Sequence, residues 1–395
     1  MYYAGIDIAK RNHEATLIDE RGHPLAKSLS FANTKEGCDS LIALLDTHGA
    51  TAENVLIGME ATGHYWLAAY EYLTAMSYDV KVINPIQSEA FRGMQIRQVK
   101  NDSKDSAMIA QIMRYGEFSS SSLAEEDFIA LKQLTRYRFS LVDSVSDCKR
   151  KVIALLDQVF PEYESIFSDM FGATSLELLS KCQTPEDLLG ISTAKLSKLL
   201  TAASKGRFRE EKAKEIKAIA QGPFGVSFAR DAFSLQIKQL IEQIKFIEKQ
   251  VTELEDQIAA LLERTSPIIT TIPGIGPTLG AVIVSEIGDI HRFTGPSKLV
   301  AYAGIDAKVY QSGEFTGTQG KMSKRGSPYL RRALWLAANI AWQHDPILSD
   351  YYHSLRARGK HHSTALGAVS RKLCNIIFAI LSENRPYLPE PPKAN

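Results

Sequence analysis

The chain has 395 residues and a formal net charge of +1, and 45% of its residues are hydrophobic, which is enough to fill the cores of two or three domains. Its four cysteines are scattered, without the paired spacing of a zinc site or a disulfide framework. The longest apolar runs, such as LCNIIFAIL, are shorter than a membrane span, and the opening MYYAGIDIAK has a strand pattern rather than that of a signal peptide. These features exclude a secreted disulfide scaffold and predict a cytoplasmic protein that does not use a membrane.

The nearly balanced charge hides a difference between the two ends of the chain. Residues 265–395 contain 15 Lys and Arg against 8 Asp and Glu, a balance of +7. Of the 46 basic and 45 acidic residues in total, 31 and 37 therefore lie in residues 1–264, a balance of −6. The basic C-terminal third indicates a polyanionic partner for that end, although an ordinary solvated surface can have the same charge.

Residues 1–118 alternate strand patterns with helix patterns. YYAGIDIA, HEATLID and LAKSLSF predict three strands, and DERGHP predicts a turn between the last two. TKEGCDSLIALLDTHG predicts an amphipathic helix that starts at Thr and stops at Gly. The strand NVLIGMEA, the helix GHYWLAAYEYLTAM and the strand DVKVINP follow, and another helix begins near Asp102. This order predicts an α/β domain with a mixed sheet flanked by helices.

The middle region, residues 119–264, is predicted to be helical. A matching apolar repeat runs from Leu131 to Val159, and we expect the two helices to pair within one chain or between chains. Residues 161–229 form a helical insertion to which the sequence assigns no role. From Ile237 the apolar positions alternate spacings of three and four, which predicts one strand of a coiled coil: Leu240, Ile244, Ile247, Val251, Leu254, Ile258 and Leu261.

Residues 265–395 are predicted to form a mostly helical C-terminal domain. They open with TTIPGIGPTLGAVIVSEIGDI, in which Gly274 and Gly276 lie in a tight turn before an apolar helix. Such a turn can present backbone N–H groups to a phosphate, as helix-hairpin-helix units do on DNA. An ordinary turn between helices has the same sequence pattern, and both interpretations stay open.

Four acidic residues of the N-terminal domain form the candidate metal site. Asp7 interrupts the first strand, and Glu60 ends another apolar strand, at the edge where ligands of α/β sheets gather. Asp102 and Asp105 are three apart at a helix start and can share a helix face. The alternative role for these two is capping, with Asp102 as the N-cap and Asp105 in the first turn. Four carboxylates together suit a pair of Mg²⁺ or Mn²⁺ ions about 4 Å apart that act on a phosphodiester.

The motifs YAGIDIAK, MEATGHY, VINP and KNDSKDSAMIA, in this order and spacing, resemble the RuvC-like domain of the one-ten family of insertion-sequence transposases, which are guided by a bridge RNA and related to the Piv DNA invertase. IPGIGPTLGAVIVSEIGDIHRF, LVAYAGIDAKVYQSGEFTG, KMSKRGSPYLRRALWLAA and RKLCNIIFAIL resemble the transposase domain of that family. Two departures are Ser106, where the family commonly has alanine, and the insertion at 161–229. The resemblance implies an RNase H-type fold for residues 1–118 and a bacterial or archaeal protein that acts at the nucleoid.

The resemblance also implies roles for individual residues. Asp7, Glu60, Asp102 and Asp105 would bind Mg²⁺ or Mn²⁺, and Ser312 of VYQSGEFTG would attack a DNA phosphate and form a 5′-phosphoserine link. The expected partners are donor and target DNA, a structured non-coding guide RNA, and further copies of the chain in a dimer or tetramer. Besides Gly274 and Gly276, the expected nucleic-acid contacts are five basic residues: Lys321, Lys324, Arg325, Arg331 and Arg332.

Other classes of protein share parts of this pattern. A Piv-like invertase would exchange DNA strands without a guide RNA, and a hydrolytic junction resolvase would use the same four acids with water as the nucleophile. The resolvase leaves the C-terminal third unexplained. An actin-like ATPase also begins with a strand like GIDI, but the chain has no second phosphate motif of the Asp-x-Gly type. A coiled-coil scaffold accounts for residues 125–265 and leaves the four acids without a role.

Overall fold

The computed structural model describes residues 1–60, 63–83, 91, 102–116, 120–121, 126–307, 311–312, 315–316 and 322–389. The chain divides into two compact units, Met1–Leu123 and Ala124–Asn395. The mixed α/β character of the first unit and the mostly helical character of the second confirm the coarse architecture predicted from the sequence. The domain boundaries predicted at residues 118 and 264 stay predictions.

The first unit contains a mixed six-stranded sheet. Its strands are β1 (Tyr2–Asp7), β2 (Asn12–Ile18), β3 (Leu29–Ala32), β4 (Val55–Glu60), β5 (Asp79–Ile83) and β6 (Ser120–Ser121). They are ordered β3-β2-β1-β4-β5-β6. The pairs β1–β2, β2–β3 and β5–β6 are antiparallel, whereas β1–β4 and β4–β5 are parallel. Strand β6 was not predicted, because two residues are too few to show a periodicity.

Helices cover both faces of this sheet. Helices α1 (Lys35–Thr47) and α2 (Leu67–Ala75) share a buried core with one face, and α3 (Asp102–Tyr115) packs on the other face. As predicted, α1 starts at a threonine, since the Thr34 side chain accepts a hydrogen bond from the Gly37 N–H. The two faces therefore have separate helices, and the candidate acids of α3 belong to the second face.

The second unit is mostly helical, and a two-stranded hairpin formed by β7 (Gln311–Ser312) and β8 (Phe315–Thr316) interrupts its C-terminal half. Short 3₁₀ helices cover Pro161–Ser165, Pro267–Thr271 and Ile290–Arg292. Its α-helices in the described residues are α4 (Glu126–Val159), α5 (Ala173–Lys181), α6 (Pro185–Gly190), α7 (Thr193–Ala203), α8 (Glu210–Ala220), α9 (Arg230–Thr265), α10 (Pro277–Ile287), α11 (Pro296–Ala303), α12 (Pro328–His344), α13 (Pro346–Ala357) and α14 (His362–Glu383).

The two long helices α4 and α9 pair with each other in an antiparallel direction. Arg264 near the end of α9 binds Asp127 at the start of α4 at 2.9 Å, and farther along the pair the Arg138 Nε donates to Glu255 at 2.8 Å. Ile244 of the predicted repeat is fully buried. Ile247, Val251 and Leu254 of the repeat are only half-buried. The pairing within one chain therefore covers the repeat in part, and a coiled coil stays a prediction.

The helical insertion at residues 161–229 builds a core of its own on this pair. Phe160 and Tyr163 at the end of α4 are almost fully buried there together with Ile241 of α9. The other ends of the two long helices, including Leu131 and Ile258, belong to the core of the C-terminal helices. The insertion thus covers the far end of the α4–α9 pair, a role that its own sequence pattern did not indicate.

Among the described helices, α14 is long and apolar enough to cross a membrane by length and composition. Its Leu373 and Ile377 are buried in one core with Leu330 and Ala337 of α12. Half of the apolar window of α14 is buried in this way, as in the core helix of a globular domain. The predicted location in the cytoplasm stays a prediction.

Candidate functional site

Asp7 and Glu60 are neighbours at the carboxyl ends of two parallel strands. Each is the last residue of its strand, β1 and β4. The register pairs Ile6 with Met59, so the next position along each strand brings Asp7 beside Glu60. Both side chains are half-buried. The carboxyl ends of parallel strands are where α/β sheets present ligand-binding side chains.

The two acids also point to the same face of the sheet, the face covered by α3. A Cβ added to Gly5 would lie 2.1 Å from the carbonyl oxygen of Ser106, and one added to Gly58 would lie 2.5 Å from Met113. Gly5 and Gly58 therefore face α3 at close range. Side chains two residues apart along a strand share a face, so Asp7 and Glu60 face α3 as well.

Helix α3 runs so that its first turn lies at the acidic end of the sheet. Near the end of α3, Gln111 donates to the carbonyl of Gly22. Gly22 lies in the turn that follows β2, and β2 ends beside the start of β1, at the opposite end from Asp7. Closer to the start of α3, Ser106 and Thr16 share a hydrogen bond of 2.7 Å between their hydroxyl oxygens, which gives Ser106 a structural role. The first turn carries Asp105, only 7% exposed. Asp105 thus belongs to the same end and the same face as Asp7 and Glu60.

The described acids do not by themselves form a complete metal site. Among the side chains that it describes, no three His, Cys, Asp or Glu groups are close enough together to hold a metal ion. Asp102 is the first residue of α3, but its side chain lies outside the described residues. The donor set is nevertheless chemically suited to a hard cation, because it consists of carboxylate oxygens. The four-acid metal site stays a prediction.

Ser312 lies in a narrow hairpin of the second unit. It pairs with Phe315, and Gln311 pairs with Thr316, so two residues connect the strands. The side chain of Ser312 lies outside the described residues. Its neighbourhood is therefore described through the chain that enters and leaves the hairpin.

Both chains at the base of the hairpin are joined by backbone and side-chain bonds. Ala307 and Met322 form an antiparallel bridge. The Ser323 N–H donates to the Asp306 carbonyl at 2.8 Å, and the Ser323 hydroxyl donates to the Asp306 carboxylate. One residue further, the Lys324 N–H donates to the Gly304 carbonyl at 3.0 Å. We call Asp306, Ala307, Met322 and Ser323 the hairpin base.

Two of the predicted phosphate contacts are exposed just after this base. Lys324 and Arg325 are both exposed, and Lys324 has a left-handed backbone with φ of 55°. Gly304 packs tightly under them, because a Cβ there would lie 1.9 Å from the carbonyl oxygen of Arg325. Lys321 lies outside the described residues. Lys324 and Arg325 are thus available to a ligand.

The other two predicted contacts are already bound within the chain. Arg331 is half-buried and donates to the carbonyl of Ala303 at the end of α11, at 3.2 Å. Arg332 donates twice to Asp143 of α4, at 2.8 and 2.9 Å, and lies over the ring of Phe139. The two hydrogen bonds from Arg332 lower the pKa of Asp143 below its ordinary value. A nucleic-acid role for either arginine stays a prediction, and these contacts make it weaker.

The turn with Gly274 and Gly276 has a packing function in addition to the predicted one. Gly274 has φ of 85°, and a Cβ on it would lie 2.6 Å from the backbone nitrogen of Ala341, so a glycine is needed where the turn touches α12. Gly276 is the N-cap of α10, and space around it is open. The open space at Gly276 is therefore compatible with the predicted phosphate contact, while the packing against α12 is a sufficient reason for a glycine at position 274.

Sequence reasoning missed an ion pair of a buried carboxylate at the start of α12. Glu286 of α10 is 1% exposed and binds Arg136 of α4 through two hydrogen bonds of 2.6 and 3.0 Å. The same carboxylate accepts from Ser327, the N-cap of α12, at 2.8 Å. The signal was the acid inside the apolar run AVIVSEIGDI. Its partners fix α4, α10 and the start of α12 relative to one another.

Comparison with known proteins now adds to this geometry. Residues 4–161 match the family model of the DEDD transposase domain of IS110 elements, and residues 266–353 match the model described as a transposase of the IS116/IS110/IS902 family. The 43.6 kDa protein of insertion element IS110 from Streptomyces coelicolor is 28% identical over 296 residues, which cover 73% of this chain and 72% of the relative. The 44.8 kDa protein of IS116 from Streptomyces clavuligerus is 24% identical over 99% of this chain and 97% of the relative. The pilin gene-inverting protein of Moraxella bovis is 22% identical over 98% and 97%.

Both family models describe transposases, and the two matched ranges together cover more than half of the chain. A transposase is an enzyme that cuts and rejoins DNA, so DNA is the substrate class. The chain belongs to the IS110 family of transposases, which confirms the family resemblance stated from the sequence.

Proposed function

We propose that the chain is a metal-dependent DNA recombinase that cuts and rejoins strands through a covalent link between Ser312 and a DNA 5′-phosphate. The observation that carries this proposal is the placement of Asp7, Glu60 and Asp105 at one end and on one face of the sheet. The order β3-β2-β1-β4-β5 with parallel β1, β4 and β5 supports a RuvC-like, RNase H-type fold for this unit. Asp102, which begins α3, would complete the acidic set.

The proposed chemistry is a transesterification at phosphorus. The Ser312 oxygen forms a bond to the phosphorus while the bond to the 3′ oxygen of the neighbouring nucleotide breaks, and the serine proton ends on the released 3′-hydroxyl. Rejoining is the reverse step, with the 3′-hydroxyl of another strand as the nucleophile. Each step exchanges one phosphoester bond for another, so strand exchange needs no ATP.

The carboxylates would hold Mg²⁺ or Mn²⁺, because hard cations prefer oxygen ligands. Asp7, Glu60, Asp102 and Asp105 are the ligands that we propose. When bound, such ions stabilise negative charge on a transferring phosphate. Among the described side chains these acids do not form a metal cluster by themselves, and the side chain of Asp102 lies outside them.

A structured guide RNA and self-association to a dimer or tetramer also belong to this proposal, on the strength of the family resemblance. The apolar repeat of α9 is covered only in part by α4 in the same chain, since Ile244 is buried and Ile247 and Val251 are half-buried. Association would use the half-buried positions of the repeat together with the exposed side of α9, where Leu235 and Phe246 are 56% and 63% exposed. RNA would be held mainly through its backbone charges and shape.

A DNA invertase without a guide RNA is the second candidate. The pilin gene-inverting protein of Moraxella bovis aligns with 98% of this chain, including both units. The two candidates share the chemistry and differ in what reads the DNA sequence. Recombination by protein that has been digested exhaustively with RNase and repurified would support the invertase, and loss of recombination that added RNA restores would support the guided recombinase.

The test of the chemistry is a covalent protein–DNA adduct. Wild-type protein, isolated from cells that carry the whole element, is incubated with labelled junction DNA and Mg²⁺ and separated on a denaturing gel. We expect a protease-sensitive shifted band that is absent in Ser312→Ala. Thr316→Ala is the matched control, because Thr316 lies opposite Gln311 in the same hairpin. Undiminished cleavage without an adduct in Ser312→Ala would mean that water is the nucleophile, as in a hydrolytic resolvase.

A further inference from the structure

A groove begins at the hairpin base and continues along α14. Its first part, about 210 Å³, is lined by Asp306, Ala307 and Met322 of the hairpin base and by Ser363, Thr364 and Arg371. Its second part, about 600 Å³, shares Asp306 and Arg371 with the first and extends to Ser297, Tyr351, Lys372 and Asn375. We call the two parts together the Arg371 groove.

The groove is rich in groups that bind phosphate. Arg371 is exposed, and within the described part of the chain no carboxylate forms an ion pair with it. Lys372 lies 4.9 Å from the ring centre of Tyr351, which holds its ammonium group at the groove wall. The hydroxyls of Ser363 and Thr364 add hydrogen-bond donors. The one acid that lines it in these residues, Asp306, is already bonded to Ser323.

The surrounding sequence has an unusual charge distribution. Between Asp350 and Glu383 the chain has no Asp or Glu, but it has five Lys or Arg and three His. This stretch covers most of α13 and nearly all of α14, so the acid-free segment coincides with one wall of the groove. Such a segment attracts polyanions, and charge alone does not distinguish a phosphate polymer from an acidic peptide.

The position of the groove selects between those polymers. It starts at Ala307 and Met322, from which the chain enters and leaves the hairpin of Ser312. From Thr364 to Asn375 along α14 the groove extends about 16 Å, given a rise of about 1.5 Å per helical residue. That length matches about five successive phosphates of one strand in a duplex, which are spaced about 3.4 Å along its axis.

We propose that the Arg371 groove holds the backbone of the DNA strand that Ser312 attacks, next to the attacked phosphate. This inference rests on the proposed role of Ser312 for the identity of the strand, and on the groove alone for the binding of a phosphate backbone. Arg371, which lines both parts, supplies the main contact. Binding of this kind is independent of base sequence, because the groove offers phosphate donors along its length.

The first test measures binding without chemistry. A fluorescent DNA duplex of random sequence is titrated with each protein in EDTA, and its anisotropy is followed at several salt concentrations. We expect Arg371→Ala to bind about tenfold more weakly than wild type and to lower the salt dependence by about one released ion. Arg371→Lys keeps the charge and should lose much less. Lys198→Ala, which removes an exposed cation of α7, is the matched control and should bind as wild type does.

Equal binding by Arg371→Ala, Arg371→Glu and wild type would overturn the inference. A single-stranded RNA of the same sequence is titrated in parallel. If Arg371→Ala binds the RNA more weakly than wild type but binds the DNA equally well, the groove belongs to RNA and the inference is also overturned. Because EDTA removes the metal ions, the binding results do not depend on whether Ser312 forms an adduct. A failure of the proposed DNA binding by the groove is therefore distinguished from a failure of the proposed chemistry.

The second test locates the strand. The four native cysteines are buried, so a cysteine introduced at the exposed position of Asn375 is the accessible thiol. Asn375→Cys in a Ser312→Ala background is coupled to an iron–EDTA reagent that cuts nearby DNA backbone. We expect cuts within about five nucleotides of the cleavage site on the attacked strand. The same reagent on Lys198→Cys should give no cuts there, and cuts from Asn375→Cys only at distant positions would contradict the placement.

Discussion

The acidic end of the N-terminal sheet and the Ser312 hairpin are positioned by different means. Asp7 and Glu60 are placed by the register of two parallel strands, and Asp105 by a helix packed on two glycines. Ser312 lies in strands of two residues, and the described contacts that position it are at the hairpin base. The acids therefore depend on the backbone of a buried sheet, whereas the described support of the serine is limited to the backbone and side-chain bonds of the hairpin base.

The largest expected effect is the removal of one acid. Asp105→Asn keeps the shape of the side chain and its capacity to accept hydrogen bonds, but removes the negative charge needed to bind a cation. We expect cleavage of junction DNA to fall about a thousandfold in Mg²⁺, which corresponds to about 4 kcal/mol of lost stabilisation at the phosphate. Asp102→Asn should behave in the same way. Full cleavage by either variant would return these residues to the role of helix capping.

The second effect tests the glycine contact that positions α3. In Gly5→Ala the new Cβ would lie 2.1 Å from the Ser106 carbonyl and 2.3 Å from the Ala110 nitrogen, so α3 must move. We expect a loss of about 2 kcal/mol in the unfolding free energy of the first unit and, because the acids are displaced, about a hundredfold loss of cleavage. Chemical denaturation followed by cleavage assays measures both. Gly190→Ala, where a Cβ meets nothing within 4 Å, is the control; unchanged cleavage in Gly5→Ala would show that α3 does not position the acids.

The third effect concerns the hairpin base. Asp306→Ala removes the carboxylate that binds the Ser323 hydroxyl, while the backbone bond between the two residues remains. We expect adduct formation at saturating DNA to slow about tenfold, because the serine is held less firmly. DNA affinity should stay equal or rise, since a negative charge leaves the Arg371 groove. Asp350→Ala, an exposed acid of α13, serves as the control, and a fall in affinity with an unchanged rate would contradict this division.

The smallest effect is a pH dependence of the first unit. His13 is fully buried on β2, accepts a hydrogen bond from the Ala9 N–H at 3.2 Å, and has a pKa that burial lowers below its ordinary 6.5. As the pH falls below 6.5 the unfolded chain binds a proton that the folded chain refuses, so stability decreases over that window and is unaffected above it. Hydrogen exchange of the sheet between about pH 7 and about pH 5 should show this loss in wild type and much less of it in His13→Asn. An equal loss in both would assign the effect to other groups.

The regular parts of the chain could be predicted from the sequence because they carry a periodicity. The strands around Asp7 and Glu60 and the apolar repeat of α9 have one, and the start of α1 is indicated by its capping threonine. The contacts near the C-terminal site have no such signal. Arg332 and Asp143 are 189 residues apart, and Glu286 meets Arg136 across 150 residues. Pairings of this kind depend on the final packing of helices, which no periodicity of the sequence indicates.

In the proposed mechanism the serine of the hairpin becomes covalently joined to DNA. The most direct measurement is mass spectrometry of the adduct after nuclease trimming and digestion with trypsin, which releases VYQSGEFTGTQGK, residues 309–321, as one peptide. We expect a nucleotide joined through its 5′-phosphate to Ser312 in wild type and its absence in Asp105→Asn. A nucleotide on Tyr310 or Thr316, or cleavage by wild type with no nucleotide on this peptide, would contradict the account.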